Sequence, residues 1–184
     1  MRNIGQVAES FSPAAHGPHD PKSACVTCVD GREQGGSYLV KAKDHALRFT
    51  KFAAVFPSFE KASTSIKARV AFATAMNKVT GLQIVGHSYC GAAKLCIKYP
   101  NGEGLTYHNG LDIVETIREA GVDLEKLVPD LLKICNDDEI AAANLLSRHL
   151  VLQSALNIMT YPGIDQEVGA GELEIYPLYH YIRE

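Results

Sequence analysis

"VTGLQIVGHSYCGAAKLCI", Val79 to Ile97, changes its structural period in the middle. Leu82–Val85 is short and largely apolar and reads as a strand in the centre of a sheet, while "GHSYCGAAKLCI" turns out of it into a helix. The preceding run, Lys61 to Lys78, opens with Ser and Thr, carries Ile66, Val70, Ala73 and Met76 or Asn77 near one stripe, and stops before Gly81. That is the pattern of a helix with its start and stop signals. Further upstream, "SACVTCV" (Ser23–Val29) is short, β-branched and apolar, as a buried strand should be, and glycines break it at "GREQGG". Strand, helix, strand, helix is the order of a parallel crossover fold.

The remaining segments fit around that unit. Residues 1–22, with Pro13, Gly17, Pro18 and Pro21, read as an N-terminal arm, and 23–184 as one domain. A second short strand is expected at Ser37–Ala42. Leu111–Ala120 reads as a helix ended by Gly121, Asp123–Leu132 as a helix interrupted by Pro129, and about 138–160 as a long helix stopped by Tyr161-Pro162-Gly163. "GELEIYPLYHYI" alternates weakly and suits an edge strand, where Pro177 is tolerated. The expected fold class is α/β, with a central, mainly parallel β-sheet of about four strands plus an edge strand, flanked by helices.

Bulk properties narrow the function. A chain of 184 residues with 46% hydrophobic content is long enough to bury one core. A formal charge of −3, with no basic stripe and no aromatic ladder, argues against a nucleic-acid partner. No stretch approaches a membrane span, and the first twenty residues lack an apolar signal-peptide core. Five cysteines, an odd number at uneven spacing, point to reduced thiols in a cytoplasmic protein, where clustered cysteines more often bind metal than form bridges.

Two cysteine-bearing turns sit at the carboxyl ends of expected parallel strands, the edge at which open α/β sheets bind ligands. In "TCVDGRE", Cys28, Asp30 and Arg32 share one side if the run stays extended. In "GHSYCG", His87 and Cys90 aim an imidazole and a thiol at one point. Cys28, His87 and Cys90 together are three soft ligands, the number in a catalytic zinc site with one position open. Cys25 offers a fourth and hence a closed structural Cys3His site, although residues i and i+3 of a strand point to opposite faces. Cys25, like Cys96 and Cys135, also suits the core as a plain buried thiol.

"CVDGR" and "GHSYCG" resemble the two signature motifs of the beta-class carbonic anhydrases, Cys-x-Asp-x-Arg and His-x-x-Cys-Gly, in order and at about the family's separation. "PKSACVTCVDGR", "VTGLQIVGHSYCGAAKL" and "ELEIYPLY" extend the resemblance over most of residues 21–184, nearest to the short archaeal-type branch. The resemblance implies Zn2+ held by Cys28, His87 and Cys90, and reversible hydration of CO2 to bicarbonate by a zinc-bound hydroxide. It further implies an Asp30–Arg32 dyad, in which Asp30 either accepts a hydrogen bond from the zinc-bound water while paired with Arg32 or becomes the fourth ligand. It also implies a homodimer or larger homo-oligomer.

The chain departs from the family at Gly31, where Ser is usual. It departs again where "VKAKDHALRF" replaces an Arg-or-Lys-Asn-Ala-Gly-Asn pocket loop and a longer "TKFAAVFPSFEKAS" follows. Those departures keep open hydrolysis of a CO2 analogue, carbonyl sulfide or carbon disulfide, and a non-catalytic zinc module is the third reading. Tyr89, between His87 and Cys90, is a pocket candidate or a packing residue. Among His45, His108, His149 and His180 no proton shuttle stands out, and His149 suits a helix interior.

Overall fold

The structure, a computed structural model, describes residues 21–29 and 47–182. Its centre is a four-stranded sheet in the order β2-β1-β3-β4: β1 (Ser23–Cys28), β2 (Leu47–Lys51), β3 (Gly81–His87) and β4 (Glu174–His180). Every pair is parallel; Val26 lies opposite Phe49 on one side and Ile84 on the other. The edge strand expected at the C-terminus is β4, and Pro177 sits within it opposite Ile84. The strand expected at Ser37–Ala42 lies outside the described residues. The strand found beside β1 is "LRFTK", whose Leu47 and Phe49 pack against the core.

Among the described residues six α-helices accompany the sheet: α1 (Thr64–Ala71), α2 (Gly91–Lys98), α3 (Leu111–Glu119), α4 (Leu124–Ile134), α5 (Glu139–Ile158) and α6 (Ile164–Gly169). Ser63 caps α1 by accepting from the Ile66 amide, and Asp138 caps α5 by accepting from Ile140 and Ala141. α1 continues into a π-helical segment, Phe72–Met76. The wider turn rotates the buried stripe, so Val70, Ala73 and Thr74 face inward while Met76 is 73% exposed, contrary to the regular 3.6-residue expectation. Nor does Pro129 interrupt α4. It lies on the helix's exposed side, where solvent can satisfy the carbonyl that loses its partner.

α5 organises the packing. One side of it lies on the sheet, where Val151 and Ile158 join Ala24, Val26, Leu82 and Ile84 in one apolar cluster. Its other side, through Leu146 and Leu150, joins Ala93, Cys96, Ile117 and Val128 from α2, α3 and α4 in a second. Cys25 and Cys96 are core thiols as expected, whereas Cys135, which caps the end of α4, is only half-buried. No helix among the described residues is long and apolar enough to cross a membrane.

Close approach of α5 to the end of β3 depends on Gly86. A Cβ at that position would stand 2.4 Å from Val151 Cγ2 and 3.4 Å from the Ser147 carbonyl oxygen. Gly86→Ala should therefore overpack the contact and lower stability by about 1–3 kcal/mol. Urea unfolding checks this: the midpoint should fall in Gly86→Ala and partly recover when Val151→Ala is added, and an unchanged midpoint would show that α5 shifts without cost.

Candidate metal centre

Parallel strands all end at the same edge of a sheet, so β1 and β3 deliver Cys28 and His87 to one place. The chain then turns through Ser88 and Tyr89 to Cys90, which caps the start of α2. All three residues are buried, at 3%, 0% and 1% exposure. Their ligand atoms lie within 4.8 Å of one another, and they form the one such group of three or more His, Cys, Asp or Glu among the described residues. Cys25 is not in the group. It is one strand position out of phase with Val26 and Cys28 and so faces the other side of the sheet.

The donor set fits a tetrahedral thiophilic cation. Cys28 Sγ and Cys90 Sγ are 3.8 Å apart. Two sulfurs each about 2.3 Å from a tetrahedral zinc are also separated by about 3.8 Å, far beyond the roughly 2.05 Å of a disulfide. With protons in place of a cation, the Cys90 thiol is pushed far above its ordinary pKa by its contact with the Cys28 thiol and by burial; the Ala93 and Ala92 amides at the start of α2 pull the other way. Two thiolates so close need a compensating positive charge, which a divalent cation supplies while displacing both protons.

The imidazole is oriented as well. His87 Nδ1 is 2.8 Å from the Ser88 carbonyl oxygen. A carbonyl only accepts, so Nδ1 carries the proton and Nε2 the lone pair, the tautomer suited to a metal. The turn is fixed from outside. Ser147 of α5 donates to the His87 carbonyl at 3.0 Å, the Tyr89 amide donates to Asn144 Oδ1 at 2.8 Å, and the Ile182 amide donates to Ser88 Oγ at 2.8 Å. The Ser88 amide also donates to the His180 carbonyl at 2.9 Å.

Other residues singled out in the sequence fall in different places. Asp30, Arg32 and His45 lie outside the described residues. Tyr89 is half-buried with φ 58°, in the left-handed region. His180 ends β4 opposite His87, and His108 is exposed on a loop. His149 lines a groove with Asp123, Lys126 and Asp130, and burial pushes its pKa down. Sequence reasoning passed over Asn144 and Ser147. Their only signal is that two small polar residues, three apart, fall on the side of a long helix that otherwise turns apolar residues inward.

Fold and site together define an α/β protein that gathers a Cys2His donor set at the carboxyl edge of a parallel sheet. The sequence model of one family, carbonic anhydrase, matches residues 23–184, and the chain belongs to that family, in its beta class. A curated relative, the chloroplastic beta carbonic anhydrase 5 of Arabidopsis thaliana, is 24% identical over 165 residues, 87% of this chain and 51% of that protein. The chain thus spans about half the length of the curated relative it matches.

Solved structures share the fold. A Coccomyxa beta-carbonic anhydrase in complex with acetazolamide superposes with a TM-score of 0.70 at 17% identity, over 96% of this chain and 74% of that one. One structure from a study of two tetrameric beta-carbonic anhydrases of Sordaria macrospora gives 0.68 at 18% identity, over 85% and 74%. The CafA enzyme of Aspergillus fumigatus gives 0.65 at 19%, over 96% and 76%.

Proposed function

We propose that this chain is a zinc enzyme that hydrates CO2 reversibly to bicarbonate, with Cys28, His87 and Cys90 as the metal ligands. One observation carries the reading: in a chain of the carbonic anhydrase family, those three side chains converge within 4.8 Å where β1 and β3 end. Zinc bound there supplies Lewis acidity that makes water a usable nucleophile near neutral pH. The chain's own residues do the rest. Two thiolates offset the cation's charge, which leaves water less acidic than three neutral histidines would and makes the surrounding acceptors important.

Asp30, two residues beyond Cys28, is the acceptor proposed to orient that water, or to become the fourth ligand when the site is closed. Arg32 is proposed to hold the Asp30 carboxylate ionised and away from the metal through a two-pronged, charge-assisted pair. Arg32→Ala should retain zinc while CO2 hydration falls by about 10- to 100-fold, the usual range for a lost outer partner. Zinc analysis and stopped-flow assay of the variant check this, and full activity would refute the dyad. A homodimer or larger assembly is proposed as well, supported by the tetrameric Sordaria relatives.

The direct test of the activity is stopped-flow CO2 hydration by the zinc-loaded protein across pH, with carbonyl sulfide and carbon disulfide turnover alongside. Hydration well above buffer supports the proposal. One zinc per chain with no hydration, or turnover confined to the sulfur analogues, would replace it.

A further inference from the structure

The peptide unit joining Ser88 to Tyr89 is held at both of its polar ends. Its carbonyl accepts from His87 Nδ1 at 2.8 Å, and its N–H donates to Asn144 Oδ1, also at 2.8 Å. A peptide is a rigid plane, so fixing the N–H fixes the carbonyl. The direction of that carbonyl in turn decides where the imidazole points and which nitrogen carries the proton. Because an amide N–H can only donate, the Asn144 atom facing it is the oxygen.

This peptide would not hold its orientation by local preference. Tyr89 sits at φ 58°, a region that residues with a Cβ disfavour, so the turn needs an anchor from elsewhere in the fold. α5 supplies it twice. Asn144 takes the Tyr89 N–H, and Ser147, three residues along the same face, donates to the His87 carbonyl at 3.0 Å. Asn is also a poor residue for the interior of a helix, a local cost that makes sense where the side chain serves the site.

We propose that Asn144 is a positioning residue of the metal centre, setting the tautomer and direction of His87 through the Ser88–Tyr89 peptide. The inference rests on the reading of Cys28, His87 and Cys90 as metal ligands. Asn144→Leu keeps the bulk and the helix but removes the acceptor. Asn144→Asp keeps an acceptor oxygen at the same reach, and Asn144→Gln moves it outward by one methylene.

The test titrates metal-free full chain with Co2+ alone, against a competing chelator, and records the visible cobalt bands. Asn144→Leu should weaken cobalt binding by about 10- to 100-fold with altered bands, Asn144→Gln should weaken it too, and Asn144→Asp should stay close to wild type. If Leu fails to fold, the Asp and Gln pair carries the comparison. Wild-type affinity and spectrum in Leu and Gln would overturn the inference. So would equal losses in Asp and Leu, because the acceptor oxygen that Asp retains would then make no difference. A wild-type chain that takes up no cobalt would instead remove the metal-centre reading itself.

Discussion

Cys90→Ser should lose the metal and, with it, the activity. The hydroxyl of serine is a far weaker ligand than a thiolate and does not ionise at neutral pH, so Cys28 and His87 would be left as two ligands on separate strands. CO2 hydration near neutral pH should then fall by at least about 10^3-fold, since water loses the acidification that a bound catalytic metal gives it. The fold itself should survive, because Cys90 stands at the N-cap of α2 and Ser is a good capping residue. Zinc content, hydration rate and circular dichroism of the same sample check the three parts. Retained zinc at one per chain would show that the ligands are other residues.

Asn157→Leu should give the largest loss of stability outside the site. The Asn157 side chain is buried at 6% exposure, and its Nδ2 donates to the carbonyl of Phe56 at 2.7 Å and to that of Ala120 at 2.8 Å. One amide thus ties α5 to the end of α3 and to the segment that follows β2. That segment is strained on its own, with Ala53 and Ala54 both at positive φ (48° and 57°), and neighbouring Ser154 braces it by donating to the Ala54 carbonyl and accepting from the Phe56 amide. Leucine would leave two buried carbonyls without those donors, at about 1–3 kcal/mol each. The thermal midpoint should fall by roughly 4–24 °C at about 2–4 °C per kcal/mol for a chain of this size. A midpoint unchanged within error would mean that water replaces the amide.

What could be read in advance was whatever depends on local pattern. "SACVTCV" and "LQIV" announce buried strands through β-branched apolar residues, Ser63 and Asp138 announce helix starts, and Gly121 and Gly163 announce stops. Cys28, His87 and Cys90 could be brought together from sequence because parallel strands share an edge, so two strand-end motifs must meet. Features set by tertiary contact were not legible. The rotation of the inward stripe at Met76 follows from a π turn that has no clear composition signal. Pro129 breaks a helix by rule, yet is tolerated where its missing hydrogen bond faces water. Asn144 acts through a peptide 55 residues earlier in the chain, and no local window contains both.

Cys25 shows how geometry separates readings that composition leaves open. By spacing alone it could complete a closed Cys3His site with the other three residues. In the sheet it occupies the opposite face from Cys28, and it is absent from the converging group. The difference is chemical as well as geometric. A Cys3His set leaves no position for reaction, whereas Cys2His leaves one, the distinction between structural and catalytic zinc.

The most direct measurement is therefore zinc K-edge X-ray absorption on the purified protein, with zinc per chain determined on the same sample. One zinc with two sulfurs at about 2.3 Å and nitrogen or oxygen neighbours at about 2.0–2.2 Å is the predicted result. Three or more sulfurs around the zinc, or protein that binds no zinc at all, would contradict it.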